Sequence, residues 1–285
     1  MTPALKCTAM GAIVAILSVD NATSQTVSFN SGSLGAAGNG VNNETVTLNL
    51  PGAVTAGGDL SVGYFGGAPS PRTTVAYQAA LNPPAANPFT IEFWAKPAAA
   101  TDDVAGPSPL FNRVTDGNRS GWVFFQRSPT TGWNFRMYDG NASAVGIDLT
   151  GGSYQVDFWT HVVAVWNGTN AVLYVNGLLA DNTSTGSGIY NASSSATFSI
   201  GSYDDGSNAF NGSMDEVAFY GSALSAAQIL AHYNTASSPL PGAYSSLVLA
   251  DGAIEYLQNI PEPSTALMLI LGMAGCGLTR RRTAG

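Results

Sequence analysis

Alternation of apolar and polar positions runs through the interior of the chain. Val46, Leu48 and Leu50, then Leu60, Val62 and Tyr64, then Phe89, Ile91, Phe93 and Ala95 recur at every second residue, each run bounded by Gly, Pro or Asn. A period of two turns one face of a strand to a core and the other away from it, so these runs predict half-buried strands. The segment His161–Trp166, Asn167-Gly168, Ala171–Val175 and Asn176-Gly177 predicts a hairpin with a second turn behind it, because Asn-Gly accepts the positive φ values of a type I′ turn. Helical patterning is convincing once. Ser225 with Gln228 makes a capping-box pattern, and Leu224 with Ile229 occupies the two staple positions, so a short helix is expected through Ala226 to Tyr233. Many short strands and one late helix predict a single all-β body over residues 25–238, built as a two-sheet antiparallel sandwich.

The two ends break the alternation. Residues 1–24 combine Lys6, an apolar run from Ala9 to Val19 and the small-residue stretch Ala22-Thr23-Ser24. That run is too short for a bilayer core of about 30 Å and has the order of an export signal, with cleavage by a signal peptidase expected before Gln25. At the other end, Pro261-Glu262-Pro263 precedes an apolar or small stretch from Ser264 to Thr279 and then Arg280, Arg281 and Arg282. A helix over that stretch reaches only about 24 Å, which suits temporary retention, with the arginines on the cytoplasmic side. The alternative is a permanent tail anchor. Residues 239–260 read as a spacer between the body and this segment.

Composition narrows the functions. The chain has 285 residues and a net charge of −8; six of its ten basic residues are scattered between Arg72 and Arg136 and the other four lie at the ends, so no basic patch is expected. This excludes a nucleic-acid partner, since such recognition depends on clustered Lys and Arg. The two cysteines, Cys7 and Cys276, are terminal, which leaves the body without a thiol for a disulfide, a zinc site or a nucleophile.

Two resemblances follow from these residues. The order Pro-Glu-Pro, apolar helix, arginine cluster resembles the PEP-CTERM sorting signal of exopolysaccharide-producing bacteria. It implies processing by an exosortase, transient contact with the inner membrane, and a final place on the cell surface or in the extracellular matrix. In the body, Phe89–Pro97, Trp159–Ala164, Leu173–Gly177, Ser199–Gly201 and Phe210–Val217, followed by Ala223-Leu224-Ser225 and His232-Tyr233, are similar to the successive blocks of the LamG-like, concanavalin A-like jelly-roll family. The resemblance covers residues 89–235 most strongly. It implies a jelly-roll sandwich and suggests that Asp215 holds one structural calcium ion, where related sandwiches often bind one near the first strand. An aspartate there can equally bond loop amides. Residues 244–256 faintly resemble the opening strand of a further module, although a plain spacer is the simpler reading.

Sugar binding calls for aromatic faces beside polar groups. With Ile91 and Phe93 inward, Glu92 and Trp94 face out; with Trp133, Phe135 and Met137 inward, Asn134, Arg136 and Tyr138 face out. These five are the candidate ligand-binding residues. Catalysis is not expected. A glycoside hydrolase needs two carboxylates about 5–9.5 Å apart, whereas the acids here come as adjacent pairs, Asp102-Asp103, Asp204-Asp205 and Asp215-Glu216, which an extended strand sends to opposite faces. The expected function is therefore a noncatalytic, exported surface or matrix protein that binds extracellular polysaccharide or glycoprotein. The alternatives are a structural matrix protein without glycan specificity and, less favoured, a hydrolase. The processing reading has a direct check: the exported chain is expected to begin at Gln25, and replacing Pro261-Glu262-Pro263 should leave a longer, membrane-associated species. Identical mass and fractionation of the two proteins would refute tail processing.

Overall fold

Each of the alternating runs is a strand in the computed structural model, which describes residues 17–18, 26–29, 40–43, 45–54, 60–66, 69–103, 106–114, 117–142, 144–237, 244–248 and 254–258. One sheet has seven strands, in the order β14 (Leu178–Asp181), β13 (Ala171–Val175), β12 (Thr160–Trp166), β7 (Phe89–Pro97), β16 (Gly212–Tyr220), β5 (Leu60–Tyr64) and β4 (Thr47–Pro51). The other has nine: β1 (Leu17–Ser18), β2 (Thr26–Phe29), β3 (Gly40–Asn42), β6 (Thr73–Val75), β15 (Phe198–Ile200), β8 (Leu110–Arg113), β9 (Ser120–Gln126), β10 (Trp133–Asp139) and β11 (Val145–Gly151). Their paired strands run antiparallel. A separate hairpin joins β17 (Tyr244–Val248) to β18 (Ile254–Gln258). The architecture is a two-sheet antiparallel jelly-roll sandwich with one short helix.

The core lies between the inner faces and is largely aromatic. Strand β7 is central to its sheet, and its inward residues Phe89, Ile91, Phe93 and Ala95 are buried, as the alternation requires. Phe93 meets the second sheet edge-on, with its ring centroid 4.9 Å from Phe124 and 6.1 Å from Trp133, the favoured arrangement of two ring quadrupoles. Trp122 is also fully buried and satisfies its indole N–H by donating to the Leu81 carbonyl at 3.1 Å.

Turn chemistry decides how β12, β13 and β14 connect. Asn176 and Gly177 take φ values of 51° and 75°, and Val175 pairs with Leu178 across them, which makes the two-residue type I′ geometry. At Asn167-Gly168 the expectation of a tight turn is corrected. Trp166 pairs with Ala171, so the loop is four residues long. It is held by Asn167 Oδ1, which accepts from the backbone N–H groups of Thr169 and Asn170 at 2.9 and 2.8 Å. A closer contact lies at the β9–β10 turn: a Cβ on Gly132, at φ +87°, would stand 1.1 Å from the Gly152 carbonyl oxygen. Only glycine lets this turn press against the root of the loop after β11.

Helix α1 (Ala226–Ala236) runs three residues past the expected end at Tyr233. Ser225 and Gln228 cap it reciprocally: Gln228 N–H donates to Ser225 Oγ at 3.3 Å and Ser225 N–H donates to Gln228 Oε1 at 2.9 Å. Ile229 is buried with Val163 and Val165, Leu224 packs on the same cluster, and the helix therefore lies on the outer face of the seven-stranded sheet. Among the described residues no helix is long and apolar enough to cross a membrane; Pro261, Glu262, Pro263, Arg280, Arg281 and Arg282 lie outside them, as does most of the export signal.

Candidate functional site

The five candidate ligand-binding residues occupy two different surfaces. Glu92 and Trp94 do face away from the core, but helix α1 covers them: their exposures are 5% each. Glu92 Oε1 accepts from His161 Nε2 at 2.7 Å, and Glu92 Oε2 accepts from His232 Nδ1 at 3.0 Å. Burial by itself would raise the Glu92 pKa. The His232 charge and the hydrogen bonds from both imidazoles outweigh burial and hold the carboxyl well below its ordinary range. For His232, burial opposes protonation, yet the Glu92 charge and hydrogen bond prevail and raise it above its ordinary 6.5. Trp94 stacks on Tyr233, with centroids 5.8 Å apart and planes at 14°, and Ala53, Val54 and Ala236 complete its cover. Neither side chain presents itself to a polysaccharide.

Asn134, Arg136 and Tyr138 lie on the outer face of the nine-stranded sheet, on the far side of the sandwich. Each strand keeps the expected parity, but the two strands belong to opposite sheets, so the five residues form no joint site. Asn134 is fully buried and donates through Nδ2 to Asp148 Oδ1 at 2.6 Å and to Thr150 Oγ1 at 2.8 Å. Arg136 Nε reaches Asp148 Oδ2 at 3.2 Å, and its guanidinium lies 5.6 Å from the Phe125 ring centre. Tyr138 is buried beneath Arg113 and Arg119, at 5.0 and 5.8 Å.

The expectation that the arginines stay scattered is corrected here. β8, β9 and β10 are neighbours, and Arg113, Arg119, Arg127 and Arg136 gather over Phe111, Phe125 and Tyr138. They stand over aromatic rings, with Arg113 and Arg127 buried, and serve as lids for an apolar face rather than as a displayed positive patch.

Asp215 begins the bulge in β16. Its Oδ2 accepts from Ala53 N–H at 2.7 Å and its Oδ1 from Glu216 N–H at 3.0 Å, so the carboxylate holds loop amides. No group of three or more His, Cys, Asp or Glu side chains suited to a metal ion occurs among the described residues. These amide bonds support the loop-holding reading of Asp215; calcium takes about six to eight oxygens, backbone carbonyls among them.

A different place is open. The loop of residues 152–159 between β11 and β12 borders, with the β13–β14 turn, an open pocket of about 240 Å³ lined by Ser153, Tyr154, Gln155, Phe158, Trp159, Thr160 and Asn176. Phe158 is 63% exposed, an unusual position for so large an apolar side chain. The loop is pinned at both shoulders: Tyr154 N–H donates to Pro129 O at 3.1 Å and Asp157 N–H to Pro97 O at 2.8 Å. The buried Tyr154 hydroxyl donates to Arg127 O and accepts from Gln126 Nε2, at 2.8 and 2.7 Å, so it is fully engaged. Asn176 Oδ1 accepts from His161 N–H at 3.0 Å, which leaves its NH₂ unengaged among the described residues. Asp, Glu, His, Lys and Arg are all absent from this lining.

A family model described as the concanavalin A-like lectin/glucanases superfamily matches residues 72–230, more than half of the chain. The chain belongs to that superfamily. No curated protein matches it. Among solved structures, this superfamily member is similar to the binding domain of Paraclostridial Mosquitocidal Protein 1 (16% identity, 86% of this chain and 63% of that one, TM-score 0.58). It is also similar to a structure from work on cell entry of botulinum neurotoxin type C through two ganglioside molecules (19%, 79% and 51%, 0.54). A third is the binding domain of botulinum neurotoxin DC in complex with SialylT (18%, 79% and 51%, 0.52). The chain spans about half to two thirds of these proteins, and at such identities the likeness is one of fold.

Sequence reasoning missed the pocket because alternation stops at its border. A signal was present: Tyr154, Phe158 and Trp159 crowd a short segment between two strands together with Ser153 and Gln155. Trp159 also packs on the Trp94 cluster, so the covered tryptophan supports a wall of the open site.

Two expected outcomes test the buried acids. The Glu92–His232 pair contributes stability in full below the ordinary imidazole value of 6.5, and that contribution is lost as pH rises through the higher folded-state value; on the acid side it is present above the ordinary 4.5 of Glu92 and lost as pH falls through the depressed value. The melting temperature should therefore fall on the alkaline side of this window, and His232→Gln should flatten that fall. An unchanged alkaline slope in the variant would refute the pairing. Asp215→Ala should cost about 2–4 kcal/mol through two lost charge-assisted hydrogen bonds, equally in EDTA and in millimolar calcium. A calcium-dependent rise in the melting temperature confined to wild type would instead place an ion at Asp215.

Proposed function

We propose that this protein is a noncatalytic glycan-binding module of a bacterial surface or matrix, exported through its N-terminal signal and released or transferred by processing at its Pro-Glu-Pro tail. The observation that carries the reading is the loop pocket, in which an exposed aromatic ring stands beside amide and hydroxyl groups. A sugar ring has an apolar C–H face for the one and hydroxyls for the other, the mixture of apolar walls and few polar anchors found in small-molecule sites. Two structural relatives are described with gangliosides and with SialylT, and the proposed binding of a glycan by this chain agrees with them without resting on them.

The lining also bears on catalysis. Glycoside hydrolysis requires a carboxylic acid and a carboxylate at the scissile bond, and neither occurs in this pocket. The expected outcome is retention of the exported protein on its producer's own polysaccharide and on a glycan array, without release of reducing ends. Phe158→Ala should weaken retention at least tenfold while leaving the melting temperature within a degree or two, because the ring is already exposed. Released reducing ends would make the protein a hydrolase; no retention, together with a weakened matrix on deletion of the protein, would make it structural.

A further inference from the structure

From the pocket's size and lining we infer that it takes the terminal residue of a neutral glycan end-on, instead of gripping a chain along its length. This rests on the glycan-binding reading above and names the ligand class for the same site. Its volume of about 240 Å³ falls below the roughly 300–1,000 Å³ of sites that enclose drug-sized ligands, and it suits a single sugar ring. Tyr154 and Thr160, exposed by only 5% and 2%, close it on the side of the sandwich body, which favours an end over a chain running through. The sheet faces, where an extended chain could lie, are covered by helix α1 on one side and by arginines and Tyr203 on the other.

Charge sets the ligand class. A uronate or sialate carboxylate in this pocket would find no Arg, Lys or His in the lining to replace the water it gives up, whereas a neutral sugar carries no such need. A neutral sugar matches what is offered: the Ser153 hydroxyl, the Gln155 amide and the Asn176 NH₂ have no hydrogen-bond partner among the described residues. The walls are fixed beforehand. Asp157 and Asn176 hold φ values of 64° and 51°, the loop shoulders are bonded to Pro97 and Pro129, and the β9–β10 turn abuts Gly152, so little ordering remains to be done on binding.

The experiment measures binding of the exported protein to soluble β-1,3-glucan, α-1,6-dextran and α-1,5-arabinan, each intact and after partial endo-cleavage at equal mass, with polygalacturonate as the charged counterpart. End-on recognition predicts that capacity per gram rises with the number of chain ends for the neutral polymer that binds. Phe158→Ala and Gln155→Ala should each lower affinity, the former at least tenfold, with melting temperatures near wild type. Capacity that stays level or falls on cleavage, while Phe158→Ala still abolishes binding, would overturn the end-on inference and leave glycan binding at this pocket standing. Preference for polygalacturonate would overturn the neutral class. Binding to none of the polymers would overturn both this inference and the reading beneath it.

Discussion

A carboxylate buried on the outer face of a sheet must be given partners, and in this protein that requirement sets much of the rest. Glu92 is forced outward by the alternation of β7, whose other side chains fill the aromatic core. Left alone there, it would sit half-covered with an uncompensated charge. His161, its diagonal cross-strand neighbour on β12, supplies one hydrogen bond, and His232 supplies the second only when helix α1 is laid across the sheet. Removing one partner of such a buried pair costs about 3–5 kcal/mol. The helix is thus fixed by an ion pair in its last turns and by Ile229 and the capping box in its first.

Sealing that face has a functional consequence. Once Trp94 lies under Tyr233 and the opposite face is roofed by arginines, neither broad surface of the sandwich offers the bare aromatic platform that an extended polysaccharide would need. What remains is the rim, where loops leave the sheets. There the chain keeps Phe158 exposed beside unengaged polar groups, and it spends three left-handed backbone residues, Gly152, Asp157 and Asn176, on shaping the walls. Backbone conformations of this kind persist where the surroundings determine them and tend to gather at binding sites.

Much of the fold was legible in the sequence, and the reasons are local. Phe89, Ile91, Phe93 and Ala95 show their period without help from any neighbour, and Ser225 with Gln228 marks a helix start from four consecutive residues. The second Asn-Gly turn was legible for the same reason. The first was not, because Asn167 satisfies its side chain with the amides of Thr169 and Asn170, an option that the dipeptide alone does not reveal. Site geometry lay beyond local patterning altogether. Parity says that Glu92 and Asn134 both point outward, yet only strand order shows that their outward directions are opposite. Likewise, nothing near Phe158 announces that Asn176 closes the same pocket, since the two meet only because β12 and β13 bring the turn back beside the loop.

Three acids, Glu92, Asp215 and Asp148, are engaged in holding the fold, in keeping with the proposed binding module. A glycosidase leaves its carboxylates free to exchange protons with substrate, one of them held near neutrality. Here Glu92 is locked to two imidazoles, with its pKa driven down, away from the range a general acid needs. Asp215 gives both oxygens to backbone amides. Asp148 is divided between Arg136 and Asn134. Each of these acids is spent on holding strands, loops or the helix in place, and recruiting one for chemistry would undo the contact that positions it. In this chain Glu92, Asp215 and Asp148 serve the architecture, and the side chains lining the rim pocket are uncharged.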